Sequence, residues 1–229
     1  MGYNYLSLGA SFIRSLIFNI NQFGLKKGIK IPIFIAWNCK IDIAPNTIEI
    51  PEKVYFGMVK IGVNLGHFNR GNNEDCFFKI EKEGRLIFKG KCNIAVGSAI
   101  NISKGKVSIG NSVSTNDRFT LSSEKAITIE DGVLFGWNCT IIDGDGHCLI
   151  NNKNEIVNKS KEIIIGNECW IASDSKIMKG VSLADHTTVA MGSVVTKSVT
   201  EKNTILAGNP AKIVKRDVRW VGRSRENVL

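Results

Sequence analysis

Nothing in the 229-residue sequence approaches the roughly 20-residue apolar run of a membrane-spanning helix, which sets integral helical membrane proteins aside. The N-terminus lacks the basic start, apolar stretch and small-residue cleavage site of a secretory leader, so a cytoplasmic location is expected. Gly2 makes no myristoylation signal, because position 6 is Leu6 rather than Ser or Thr. None of the six cysteines (Cys39, Cys76, Cys92, Cys139, Cys148, Cys169) stands in a CxxC pair, and the chain is too long for a disulfide-stapled miniprotein. They are expected to be reduced and mostly to serve as small core residues. Zinc-finger spacing, an aromatic RNP pattern and an obvious helix-turn-helix are all missing, so no nucleic-acid partner is expected despite the formal charge of +9.

What is present suits one soluble domain with a real core, 43% hydrophobic and 22% charged. Basic residues are scattered until the C-terminus, where Lys212, Lys215, Arg216, Arg219, Arg223 and Arg225 cluster. A phosphorylated small molecule fits that charge as an anionic partner.

The strongest pattern lies in "IGNECWIASDSKIMKGVSLADHTTVAMGSVV", with aliphatics at Ile165, Ile171, Ile177, Leu183, Val189 and Val195. Four residues after each comes Cys169, Ser175, Val181, Thr187, Ser193 or Val199, all small or β-branched. A helix repeats at 3.6 and a strand at 2, so neither yields two inward positions in every six. A chain that makes a short strand and a corner every six residues does, and such hexads read as a parallel β-helix. Ile129, Phe135 and Ile141 carry the same spacing upstream, with Val133 and Cys139 in the small slots. So do Phe88, Ile94 and Ile100, with Cys92 and Ser98, and Ile109 with Val113 adds a fragment. Between fragments the phase slips by a few residues, which a solenoid accommodates as loops at its corners. From Ile141 to Ile163 the pattern stops, and "DGDGHCLINNKNEIVNKSKE" reads as a protruding polar loop, the kind of place where function sits on a rigid scaffold.

The "W-I-x-S" after an "I-G-N" corner, "G-S-V-V-T-K" and the closing "A-G-N-P-A-K-I-V-K" resemble the C-terminal signature of the hexapeptide-repeat acyltransferases, nearest the galactoside, maltose and serine O-acetyltransferases. The likeness spans roughly residues 88 to 216. It implies an all-β left-handed parallel β-helix, a rare hand for parallel crossovers, a homotrimer with active sites between subunits, and acetyl-CoA as the acyl donor.

Moving an acetyl group from a thioester to a hydroxyl needs a base, donors for the developing oxyanion and a slot for the pantetheine arm. Imidazole suits the first role near neutral pH. His147 lies in the polar loop, and the resemblance puts the catalytic histidine there; the plain alternative is an exposed loop histidine. Asp143 or Asp145 could fix its tautomer by accepting from the other ring nitrogen. His186 is expected on the surface, and so is His67, although it borders a turn-rich stretch that could reach an active site from a neighbouring coil or chain. The resemblance assigns the oxyanion donor to the Ser173 N–H and sets Trp170 near the acetyl end, although Trp170 reads equally as a corner residue. It also matches Asn116 to an acceptor-binding asparagine, against an exposed corner asparagine. For CoA it implies Met191, Thr196, Lys197, Lys212 and Lys215, the two last offering charge to phosphates without the bidentate geometry of arginine.

Residues 5–20 place Leu8, Phe12, Leu16 and Ile20 at helical spacing, with Ile13 and Ile17 alongside. This helix is expected to pack on the β-helix as a cap, since a solenoid's end coil must be covered, and a peripheral membrane contact is the alternative. The organisation expected is a cap over 1–30, the β-helix over 31–214 with a loop insertion at 143–162, and a C-terminal extension over 215–229. The function expected is an acetyl-CoA-dependent O-acetyltransferase acting on a carbohydrate acceptor, a surface polysaccharide or its precursor. An N-acetyltransferase acting on a nucleotide sugar and a non-catalytic β-helix are the alternatives. No metal is expected: the three-histidine zinc site of the γ-class carbonic anhydrases shares this fold, but His67, His147 and His186 lack its spacing.

Overall fold

A computed structural model describes residues 5–63 and 74–222. Among these residues, strands of two to five residues stack into sheets of nine, seven and six strands. The chain visits the nine-, seven- and six-stranded sheets in turn, and each strand pairs in parallel with the equivalent strand of the next coil. The result is a left-handed parallel β-helix. An antiparallel hairpin, Ile205–Gly208 with Ala211–Lys215, finishes the nine-stranded sheet.

The hexad aliphatics fill the interior. Ile165, Ile171, Ile177, Leu183, Val189 and Val195 are at most 2% exposed, and burying such a side chain is worth about 1.5–3 kcal/mol. The small slots fall at the corners, where a long side chain would not fit and corner carbonyls need donors. Thr187 Oγ1 donates to Ala184 O at 2.7 Å, Ser175 Oγ to Ala190 O at 3.0 Å and Cys169 Sγ to Ala184 O at 3.3 Å. All the described cysteines are free thiols, five buried and Cys148 exposed. Burial alone lifts the Cys92 thiol to about 12.

Coil length explains where the sequence repeat is clean and where it slips. Ile165 stacks on Leu183 and Ile171 on Val189, so a coil here is three whole hexads. Upstream, Ile109 stacks on Ile129 and Phe88 on Ile109, and both of these coils overrun three hexads. The surplus gathers at the corner leading from the seven- to the six-stranded sheet, in the short links at 81–84 and 103–105. The 143–162 loop leaves from that same corner, between strands Thr140–Ile142 and Ile163–Ile165.

The helix α1 runs Tyr5–Gly28, with a non-helical break at Gly24 (φ 72°) where a residue without Cβ adopts the left-handed region. It packs on the first coil, as a cap would, but not by its apolar stripe. The buried stripe is Ser11, Ser15 and Asn19, not the apolar one. These side chains hydrogen-bond the exposed edge of the first coil strand, Ile33–Ile35. Asn19 accepts from Ile33 N at 3.0 Å and donates to Ile33 O at 2.6 Å; Ser15 Oγ accepts from Ile35 N at 2.9 Å, and Ser11 Oγ from Trp37 N at 2.9 Å. An open strand edge needs hydrogen-bond partners more than apolar cover. Leu8 and Phe12 remain 48% and 45% exposed, while Leu16 and Ile20 are half-buried. No helix among the described residues is long and apolar enough to cross a membrane.

Candidate active site

The His147 loop is anchored at its root and at its neck. At the root, Asp143 is fully buried. Its carboxylate accepts from Ser123 Oγ at 2.7 Å, Glu124 N at 2.7 Å and Lys125 N at 3.0 Å, all from the corner of the coil beneath. Lys161 N donates to Asp143 O at 2.8 Å, drawing the two ends of the loop together. At the neck, Asn158 accepts from Leu149 N at 2.7 Å and donates to His147 O and to Asp145 Oδ2, each at 2.8 Å. Lys179, on the same corner one coil further on, donates to Asp145 Oδ2 and to Asn158 O. The Lys179 ammonium, with Asn158, holds the Asp145 carboxyl below its ordinary range.

Both candidate aspartates are thus engaged elsewhere. Asp143 clamps the loop root and Asp145 ties the neck to Lys179, and among the described residues neither makes the orienting contact to the His147 ring. What Asn158 and Asp145 fix is the backbone carrying an exposed imidazole. Beyond the neck, Ile150 and Ile156 bridge as an antiparallel pair, leaving Leu149, Ile150, Ile156 and Val157 exposed around the tip.

A second group stands on the corner from the nine- to the seven-stranded sheet. Thr115, Phe135, Ile171 and Val189 are stacked in register, so the residues following them rise in columns along this corner. Asn116 lies beneath Gly136, and Met191 lies directly above Ser173. Ala172 N donates to Val189 O and Asp174 N to Trp137 O, while among the described residues the ladder gives Ser173 N no acceptor. A Cβ on Gly136 would come within 2.4 Å of Ser173 N, so glycine is needed there for the coils to approach. Trp170, 37% exposed on the nine-stranded sheet, meets Trp220 with ring centroids 6.2 Å apart. Trp220 is fixed by donating Nε1–H to Glu168 O at 2.6 Å. Lys212 and Lys215 lie exposed on the closing hairpin of that sheet.

The candidates therefore divide. His147, Asp143 and Asp145 share the corner carrying exposed Thr196 and Lys197, whereas Asn116, Ser173 and Met191 share the corner that precedes it round the coil. His186 sits on the third corner with Nδ1 3.6 Å from Glu168. His67 lies outside the described residues. Sequence reasoning missed Asn158, Lys179, Gly136 and Trp220. For Gly136 alone there was a signal, a glycine interrupting "FGWN" where a corner follows an inward phenylalanine.

A left-handed parallel β-helix is the fold of the hexapeptide-repeat acetyltransferases that this chain resembles in structure. Residues 162–197 match the family model described as bacterial transferase hexapeptide (six repeats). An uncharacterized 24.8 kDa protein in the cps region of Klebsiella pneumoniae is 32% identical over 157 residues, 69% of this chain and 68% of that protein. The polysialic acid O-acetyltransferase of Escherichia coli O1:K1 is 29% identical over 135 residues, 58% of this chain and 44% of its own length. Among solved structures, the polySia-specific acetyltransferase NeuO superposes with a TM-score of 0.61 at 23% identity, over 82% of this chain and 91% of that one. The chain belongs to the hexapeptide-repeat transferase family.

Proposed function

We propose that the protein is an acetyl-CoA-dependent O-acetyltransferase acting on a hydroxyl of a surface polysaccharide or its sugar precursor, with His147 as general base. The observation that carries this reading is the loop: a histidine held at fixed depth by the Asn158 and Asp145 ties while its ring stays exposed. Similarity to a polysialic acid O-acetyltransferase supports the carbohydrate acceptor.

In this mechanism His147 takes the proton of the acceptor hydroxyl as its oxygen attacks the thioester carbonyl. The Ser173 N–H donates to the resulting oxyanion. Collapse expels the CoA thiolate, which takes the proton back from the imidazolium. Met191 and Trp170 line the pantetheine end, Lys212 and Lys215 face the CoA phosphates, and Asn116 positions the acceptor. Because His147 and Ser173 occupy different corners of the solenoid on successive coils, the reading requires a second copy of the chain to complete each site. A homotrimer supplies three such junctions, with Thr196 and Lys197 contributed from the His147 side.

The test is free-thiol release from acetyl-CoA with a panel of sugars, nucleotide sugars and polysaccharides, for wild type and His147→Ala. Acceptor-dependent release that falls about 10²–10⁴-fold in the variant is the expected result. Release unaffected by His147→Ala would overturn the assignment of the base.

A further inference from the structure

The seating of α1 leaves an apolar surface at the N-terminal end of the solenoid. With Ser11, Ser15 and Asn19 turned to the strand edge, Ile13 is 61% and Ile17 56% exposed on the outer face. Phe12 extends the surface to Phe56, with ring centroids 6.3 Å apart, and Phe56 and Trp37 are themselves more than half or half exposed. Ile13 and Ile17 border a groove of about 490 Å³ closed on its other sides by Phe18, Ile41 and the half-buried Arg14.

Charge identifies what covers it. The first acidic residue of the chain is Asp42, and before it come Arg14, Lys26, Lys27, Lys30 and Lys40. Lys27 and Lys40 are paired with Glu52 and Asp75. Lys26 and Lys30 are exposed beside Leu25 and Ile29, which are also exposed. A second copy set against this face would bring two cationic, acid-free segments together, whereas a surface apolar within and anionic at its boundary matches both features.

We infer that α1 and the first coil dock the protein on an anionic phospholipid surface. Ile13, Ile17, Phe12 and Phe56 enter the acyl boundary, and Arg14, Lys26 and Lys30 stay at headgroup level. The helix then lies in the plane of the interface, its polar stripe satisfied by the protein rather than by water. This inference stands apart from the acetyltransferase reading, because its readout is binding and not turnover.

The test is co-sedimentation of the full chain with vesicles of phosphatidylcholine alone and with a third of phosphatidylglycerol added. Thermal melts and a lipid-free mass measurement accompany it. Binding is expected on the anionic vesicles only, and is expected to be lost when salt rises from about 0.1 M to about 1 M, as the screening length falls from about 10 to 3 Å. Ile13→Ser with Ile17→Ser should weaken partitioning about ten-fold per side chain, and Lys26→Gln with Lys30→Gln about five-fold per charge, each with the wild-type melting temperature. The inference is overturned by no binding to either vesicle, or by binding that the isoleucine variants leave unchanged. It is equally overturned if wild type without lipid has twice the mass of the isoleucine variant, since a second copy then covers the face.

Discussion

Replacing Asp143 separates a loop clamp from a catalytic carboxylate. Asp143→Ala strips acceptors from three donors, the Ser123 hydroxyl and the N–H groups of Glu124 and Lys125. Ser123 is 1% exposed, and a buried donor left without its acceptor costs about 1–3 kcal/mol. The two amides sit in part-buried bonds that water reaches once the carboxylate is gone, so each costs nearer the net value of about 0.5–1.5 kcal/mol. The expected loss is about 4 kcal/mol, a large share of the roughly 5–15 kcal/mol by which domains are stable. Asp143→Asn should lose about half of that, since its oxygen still accepts on one side while its amide group opposes a donor on the other. Urea unfolding gives these values, and kcat with its pH dependence is measured well below the melting temperature. A clamp predicts lost stability, a kcat within about ten-fold of wild type once the chain is folded, and an unmoved pH profile. A carboxylate orienting the imidazole predicts unchanged stability and a kcat down by as much as about 10⁴-fold, as for a triad aspartate. The second result would refute the reasoning from the buried contacts.

Asn158→Ala should leave the melting temperature nearly unchanged, because its bonds are solvent-exposed, yet lower kcat about 10–100-fold by freeing the backbone at His147; unchanged kcat would remove Asn158 from the positioning of the base. Asn19→Leu deprives both Ile33 N and Ile33 O of their partner, and a loss of about 2–4 kcal/mol in denaturant melts is expected, with aggregation at the uncovered edge. Asp185 accepts from Lys202 Nζ at 2.7 Å and Asn167 N at 2.9 Å, and these contacts, Lys202 first, bring its carboxyl down to about 2. A depressed folded-state value contributes stability that is complete above the ordinary carboxylate range and is lost as pH falls towards about 2. Because Lys202 is largely exposed and the pair is screened by solvent, the stability gap between wild type and Asp185→Asn should be about 1 kcal/mol at pH 7 and close on acidification. A gap independent of pH would contradict it.

The coil follows from the order of residues alone. Two inward positions in every hexad admit no helix or flat sheet, and wherever a coil holds three whole hexads, as from Ile165 to Leu183, the repeat prints itself without a slip. Where coils overrun three hexads the same architecture persists but the register drifts, so the solenoid was legible there only in fragments. The histidine loop was visible as an interruption, because an insertion into a strict period announces its own boundaries. Other features were settled only by which donors and acceptors meet in the folded chain. "DGDGH" offers two equivalent aspartates beside a histidine, and the coil beneath claims one of them with three donors while Lys179 claims the other. In α1 the spacing of Leu8, Phe12, Leu16 and Ile20 describes an apolar face, but the edge of Ile33–Ile35 has backbone groups to satisfy, and Ser11, Ser15 and Asn19 answer them. Periodicity reports where hydrophobic side chains recur along the chain. It carries no information on which buried polar group will find its partner across the fold, and that pairing fixed both the root of the histidine loop and the face the helix shows to solvent.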